Sequence, residues 1–252
     1  MEKLAINGVV AFSLLLAGQV ATAHADAPSV DVNAIVKAVM DDQYGNQYDG
    51  KQACWTFAHT TEQGDALTYC MSPGKPALVD TPKGKLLYVY AANRYDIRDD
   101  PRYAYGQSEP GLMGAFAVRI DVKGQWTYQA LDNAMEFGAN GYCGCNKADL
   151  VKLSPQGDYG WFFTSGGVWQ GTVVADYSIV MAHKGGFVDV SKIPQTRESA
   201  QGVRYDVKIL ADPAGKGMFP LQVTKTRDGA TIKSFQVKFD PGAFAYSLPP
   251  GE

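Results

Sequence analysis

Histidine and cysteine are scarce in this chain of 252 residues, with three of one and four of the other. Their scarcity excludes a good deal. No Cys-x-x-Cys occurs, so the usual spacing of a dithiol oxidoreductase is absent. Beyond the N-terminal region only His59 and His183 could join cysteine around a metal. Zinc asks for four sulfur or nitrogen ligands, or three and a water. Neither a metal nor a cofactor is expected. A Gly-x-Ser-x-Gly elbow is also missing, which leaves the Ser165 of FTSGG (163–167) without the strand-to-helix context of a serine hydrolase. Its plainer reading is a glycine-rich turn.

Basic charge is not in excess: 23 Lys and Arg face 26 Asp and Glu, for a net charge of −3. Nucleic-acid affinity rests on clustered Lys and Arg, so no nucleic-acid partner is expected. Asn-x-Ser/Thr acceptors are absent, as are low-complexity tracts. No apolar run after residue 25 is long enough for a bilayer span of about 20 residues. No membrane span is expected once the leader is removed.

The leader is the first thing present. Lys3, a charge-free stretch from Gly8 to Ala17 and the small residues around Ala23-His24-Ala25 have the layout of a secretory signal peptide. Cleavage after Ala25 would leave residues 26–252, read as a single domain in the periplasm or outside the cell.

Residues 29–44 read SVDVNAIVKAVMDDQY, with Val32, Ile35, Val36, Val39 and Met40 at spacings of three and four. This predicts a helix over about 30–43, capped by Asp31 or Ser29 and packed on the body. Thereafter the period is two. In VRYDVKIL (203–210), Val203, Tyr205, Val207 and Ile209 alternate with Arg204, Asp206 and Lys208. LQVTKT (221–226) and IKSFQVKF (232–239) flank Asp228-Gly229, a pair suited to a hairpin turn. KLLYVYAAN (85–93), GAFAVRID (114–121), QWTYQA (125–130), DLVKLS (149–154), YGWFFTS (159–165) and GTVVADYSIVMAHK (171–184) continue the series. DNAMEFGAN (132–140) reads as an exception, one or two helical turns. The expected fold is all-β, a mainly antiparallel sandwich-like domain with a short N-terminal helix.

An even cysteine count in an exported chain points first to disulfides. Four cysteines allow three pairings. The local one is favoured: Cys54 with Cys70 across a hairpin, Cys143 with Cys145 across one glycine. The crossed pairings remain open alternatives.

Two regions offer chemistry. RYDIRDDPRYAYGQSEPG (94–111) carries Asp96, Asp99, Asp100 and Glu109 among Arg94, Arg98 and Arg102. Paired carboxyls across a groove would suit a glycosidase, while mutual ion pairs are the simpler account. YGWFFTSGGVWQG (159–171) concentrates aromatic rings around glycines. If the face bearing Trp161 and Phe163 reaches the surface beside Trp169, with Tyr103 and Tyr105 framing it, it makes a platform for a sugar ring or an apolar partner. The core is the competing destination. The expected function is non-catalytic binding of a glycan or protein through this aromatic surface. A carboxylate-dependent glycan hydrolase and a passive envelope or assembly protein are the alternatives.

Overall fold

The computed structural model describes residues 30–81, 84–97, 99–169, 171–197 and 202–252. The expected signal peptide lies outside them. The described chain opens with helix α1 (Val32–Tyr44). The Asp31 carboxylate accepts the Ala34 N–H at 3.0 Å and so caps the first turn, as the sequence suggests. Gly45, at φ +75°, stops the helix.

Seven strands follow as one sheet: β1 (Tyr48–Asp49), β2 (Cys54–Thr60), β3 (Ala66–Pro73), β4 (Ala77–Thr81), β5 (Gly84–Asn93), β6 (Gly111–Ile120) and β7 (Trp126–Phe137). Their order is β1-β2-β3-β5-β6-β7, with β4 beside β5. Ten more form the second: β8 (Asp149–Lys152), β9 (Tyr159–Trp169), β10 (Thr172–His183), β11 (Gly186–Asp189), β12 (Ser191–Thr196), β13 (Val203–Ile209), β14 (Leu221–Arg227), β15 (Ala230–Val237), β16 (Phe239–Asp240) and β17 (Ala245–Ser247). Its main path is β15-β14-β13-β12-β10-β9-β8. Pairing is antiparallel except between β12 and β17. The molecule is therefore mainly antiparallel and sandwich-like, with one N-terminal helix.

The layers follow from which faces are apolar. Ile35, Val36, Val39, Met40 and Tyr44 of α1 pack on Trp55, Tyr69, Leu87, Val89, Leu112 and Phe116 of the first sheet. Val39 and Met40 are fully buried, which contributes about 1.5–3 kcal/mol each. Hydrogen bonds fix the dock: Trp55 Nε1 donates to Asp41 at 2.9 Å, and the Tyr44 hydroxyl donates to the Asn133 carbonyl at 3.1 Å. Gly114 makes room for that hydroxyl, since a Cβ there would lie 2.0 Å from it. The other face of the first sheet, with Tyr88, Tyr90, Met113 and Ala115, meets Trp161, Phe163, Val180 and Phe187 of the second. The outer face of the second sheet is closed in part by Phe239, Phe244, Tyr246 and Leu248.

The hairpin expected at Asp228-Gly229 forms, with both residues at positive φ (50° and 83°) and Arg227 paired to Ala230. The helical turns expected within 132–140 do not. Residues 132–137 are the second half of β7, where a register shift between Met113 and Ala115 of its partner breaks the alternation, and 138–140 lead out of the strand through an isolated Ala139–Tyr142 bridge. FTSGG is not a turn either; it lies within β9.

Candidate functional site

The cysteines pair locally, Cys54 with Cys70 and Cys143 with Cys145. The first bond lies with Ile97 and Tyr103 in a small core beneath the 94–110 connection. The second sits between the sheets, where Cys143 and Cys145 are 1% and 0% exposed. The glycine between them is required twice over. Gly144 has φ +73°, and a Cβ on it would come within 1.9 Å of the Thr164 carbonyl oxygen. Gly111 presses from the other side, because its Cβ would meet Cys143 N at 2.2 Å. The CGC stretch is thus an internal strut, and Asn146, immediately after it, is exposed.

The connection from Arg94 to Pro110 is held inward by its tyrosines. Tyr103, 1% exposed, shares a 2.8 Å hydrogen bond with Thr56 Oγ1. Tyr105 stacks on Tyr69 at 5.3 Å and donates to the Thr68 carbonyl. Neither frames an aromatic platform. Trp161 and Phe163 are 2% and 4% exposed and pack in the inter-sheet core. The expected exposed face is therefore corrected at Trp161, Phe163 and Tyr103, which are buried, while Tyr105 is half-buried against Tyr69. Trp169 ends β9, and its side chain lies outside the described residues.

The aspartates of the connection are tied in ion pairs. Arg94 holds Asp96 in a two-pronged contact, Nε and Nη2 each at 3.1 Å, and donates from Nη1 to the Gln52 carbonyl at 2.9 Å. Arg102 Nη2 lies 2.6 Å from both Asp49 and Asp100. Lys51 pairs with Asp99 at 3.2 Å, and Glu109 accepts the Gly106 N–H. The hydrogen bonds from Arg94, Lys51 and Arg102 hold Asp96, Asp99 and Asp100 below the ordinary carboxylate range, Asp100 at about 2. A general acid for glycoside cleavage needs the opposite shift.

Where this connection leaves β5 it opens a cleft of about 290 Å³, lined by Ser72, Gly74, Tyr90, Arg94, Tyr95, Asp96 and Asn146 among others. Tyr90 forms one wall, its ring T-shaped on Trp161 at 4.8 Å and its hydroxyl donating to the Asn146 carbonyl at 3.3 Å. Tyr95 is 47% exposed, braced edge-on by Tyr142 at 4.7 Å. Of the five guanidinium N–H groups on Arg94, three have partners among the described residues. The cleft thus brings together the half-exposed Tyr95 ring, the Arg94 guanidinium, the Asp96 carboxylate and Asn146. Tyr90, Tyr95 and Asn146 were not singled out from the sequence. The available signal was composition: Tyr95 stands between Arg94 and Asp96, whereas Trp161 stands among apolar residues.

Other chemistry is less well assembled. Among the described residues no group of three His, Cys, Asp or Glu could hold a metal ion. His59 contacts Glu136 at 2.9 Å, and His183 packs on Phe244 at 3.9 Å. The Ser165 hydroxyl is engaged with Ser178 at 3.2 Å. Desolvation raises Asp176 and Asp189, and Asp189's charge raises Asp176 further. Asp189 accepts the N–H groups of Ile179 and Ser191 at 2.9 and 3.0 Å, a bracing role. Among the described residues no helix is long and apolar enough to cross a membrane. Comparison with family models, curated proteins and solved structures finds no match.

Proposed function

We propose that this chain is an exported, non-catalytic binding protein that takes a glycan unit in the Tyr95 cleft. The observation that carries this reading is a half-exposed tyrosine ring beside a bidentate Arg94–Asp96 pair. A pyranose presents an apolar C–H face and a rim of hydroxyls that both donate and accept. Tyr95 suits the face. The remaining N–H groups of Arg94, the Asp96 carboxylate and the Asn146 amide suit the rim. Ionised carboxylates in the neighbouring connection support binding rather than hydrolysis. Two disulfides support an oxidising compartment, in keeping with the leader-like start of the sequence.

The test is a glycan array probed with the wild type and with Tyr95→Ala, both checked for an unchanged melting temperature. Tyr95→Ala is expected to lose about fivefold or more in affinity, because a desolvated ring contact is worth on the order of 1 kcal/mol or more. Absence of any glycan ligand, or binding indifferent to Tyr95, sinks the reading.

A further inference from the structure

A second opening lies far from these residues in the sequence and is built quite differently. Between β13 and β14 the chain makes a glycine- and proline-rich connection, closed at its base by Leu210 N–H donating to the Pro220 carbonyl at 2.9 Å. Phe219 ties it to the sheet, donating from its N–H to the Leu153 carbonyl at 2.7 Å and accepting the Tyr246 hydroxyl at 2.8 Å. Facing it is the short stretch 238–241. Together they border an open cleft of about 550 Å³, inside the roughly 300–1,000 Å³ typical of small-molecule sites.

The lining is sorted by chemistry. Met218, Phe219 and Phe239 supply the apolar surface. Phe239 is held edge-on by Phe244 and Tyr246 at 5.2 and 5.1 Å, so that wall is fixed. Met218, unbranched and adaptable, can follow a flexible chain. Lys216 and Lys238 reach the same opening from the two separate segments. Both are exposed, and neither has an ion-pair or hydrogen-bond partner among the described residues. Asp212 also lines the opening, but its carboxylate accepts the Ala214 N–H at 3.0 Å, so two cations face one engaged anion.

We propose that this pocket binds a monomeric single-chain fatty acid. The acyl chain lies on Met218, Phe219 and Phe239, and the carboxylate meets Lys216 and Lys238. The site is independent of the Tyr95 cleft and stands whether or not that cleft takes a glycan.

Calorimetric titration with decanoate, below its micelle concentration, tests this. One decanoate per chain is expected. Decanol, which keeps the chain without the charge, and butyrate, which keeps the charge without the chain, should each bind at least about tenfold more weakly. Lys216→Gln with Lys238→Gln should weaken decanoate about tenfold with the melting temperature unchanged, as two exposed ion pairs allow. Tyr95→Ala should leave decanoate binding as it was. No uptake of decanoate overturns the proposal. So does equal affinity for decanol, indifference to the double lysine variant, or attachment to anionic vesicles without uptake of the monomer.

Discussion

The Tyr90 ring occupies the space that a side chain at Gly74 would need: a Cβ there would come within 1.9 Å of the Tyr90 Cζ. The two backbones are locked together as well, Gly74 N–H donating to the Tyr90 carbonyl at 2.9 Å. A methyl group at this point must displace the ring from Asn146 and from Trp161. Gly74→Ala is therefore expected to cost about 1–3 kcal/mol, the usual range for overpacking, measured by urea unfolding. It should also weaken a glycan held by Tyr95, although Tyr95 itself is untouched. A variant as stable as the wild type would show that Tyr90 has another place to go.

The two disulfides close loops of very different size, with sequence separations of 16 and 2. If they act by restricting the unfolded chain, the larger loop contributes about 3 kcal/mol and the smaller about half that. Cys54→Ala/Cys70→Ala should lower the unfolding free energy more than Cys143→Ala/Cys145→Ala does. Reversal of that order in denaturant titrations would mean that the inter-sheet strut works mainly through native packing.

Asp189 braces two backbone N–H groups with one carboxylate oxygen. Asp189→Ala leaves both without that acceptor and should cost about 1–3 kcal/mol. Asp189→Asn keeps an oxygen in place and removes a charge that is unfavourable there, so its cost should be much smaller. Because burial raises this carboxyl in the folded state, its ionisation takes stability away as pH rises from the ordinary 3.8 through the folded value. Asp189→Asn should flatten that part of a stability-against-pH curve.

Asp100 has the opposite sign. Its hydrogen bonds from Arg102 lower it from 3.8 to about 2. The contact stabilises the fold above the unfolded value and is lost as pH falls through the folded one. Between pH 3.8 and about 2, Asp100→Asn should show a shallower loss of thermal stability than the wild type. Parallel curves for the two proteins would remove Asp100 from the acid-sensitive set.

Much of this architecture is legible in the residues themselves. The helix stripe at Ile35, Val36, Val39 and Met40 and the Asp228-Gly229 turn are local signals, and each acts locally. The Arg–Asp pairing of the long connection is equally plain, with partners two residues apart at Arg94–Asp96 and Asp100–Arg102. The second half of β7 is not legible, because its bulge opposite Met113 and Ala115 scrambles the two-residue period. The fate of Trp161 is hidden for another reason. Both faces of β9 are covered, Trp161 and Phe163 by the first sheet and Phe162 by the layer beyond. Alternation can separate two faces but cannot tell which of them is wet. Tyr95 sits in a connection without periodicity, so only the fold brings it beside Tyr90 and Asn146.

The first sheet is covered twice, by α1 on one side and by the second sheet on the other. β6 is hydrogen-bonded on both edges, to β5 and β7, and is buried at every position except Arg119. Its amide hydrogens have no route to solvent short of opening the whole molecule. Deuterium should reach Leu112–Val118 last of all. The largely exposed outer strand β15 should exchange by local opening, and that margin is where a protease would make its first cut.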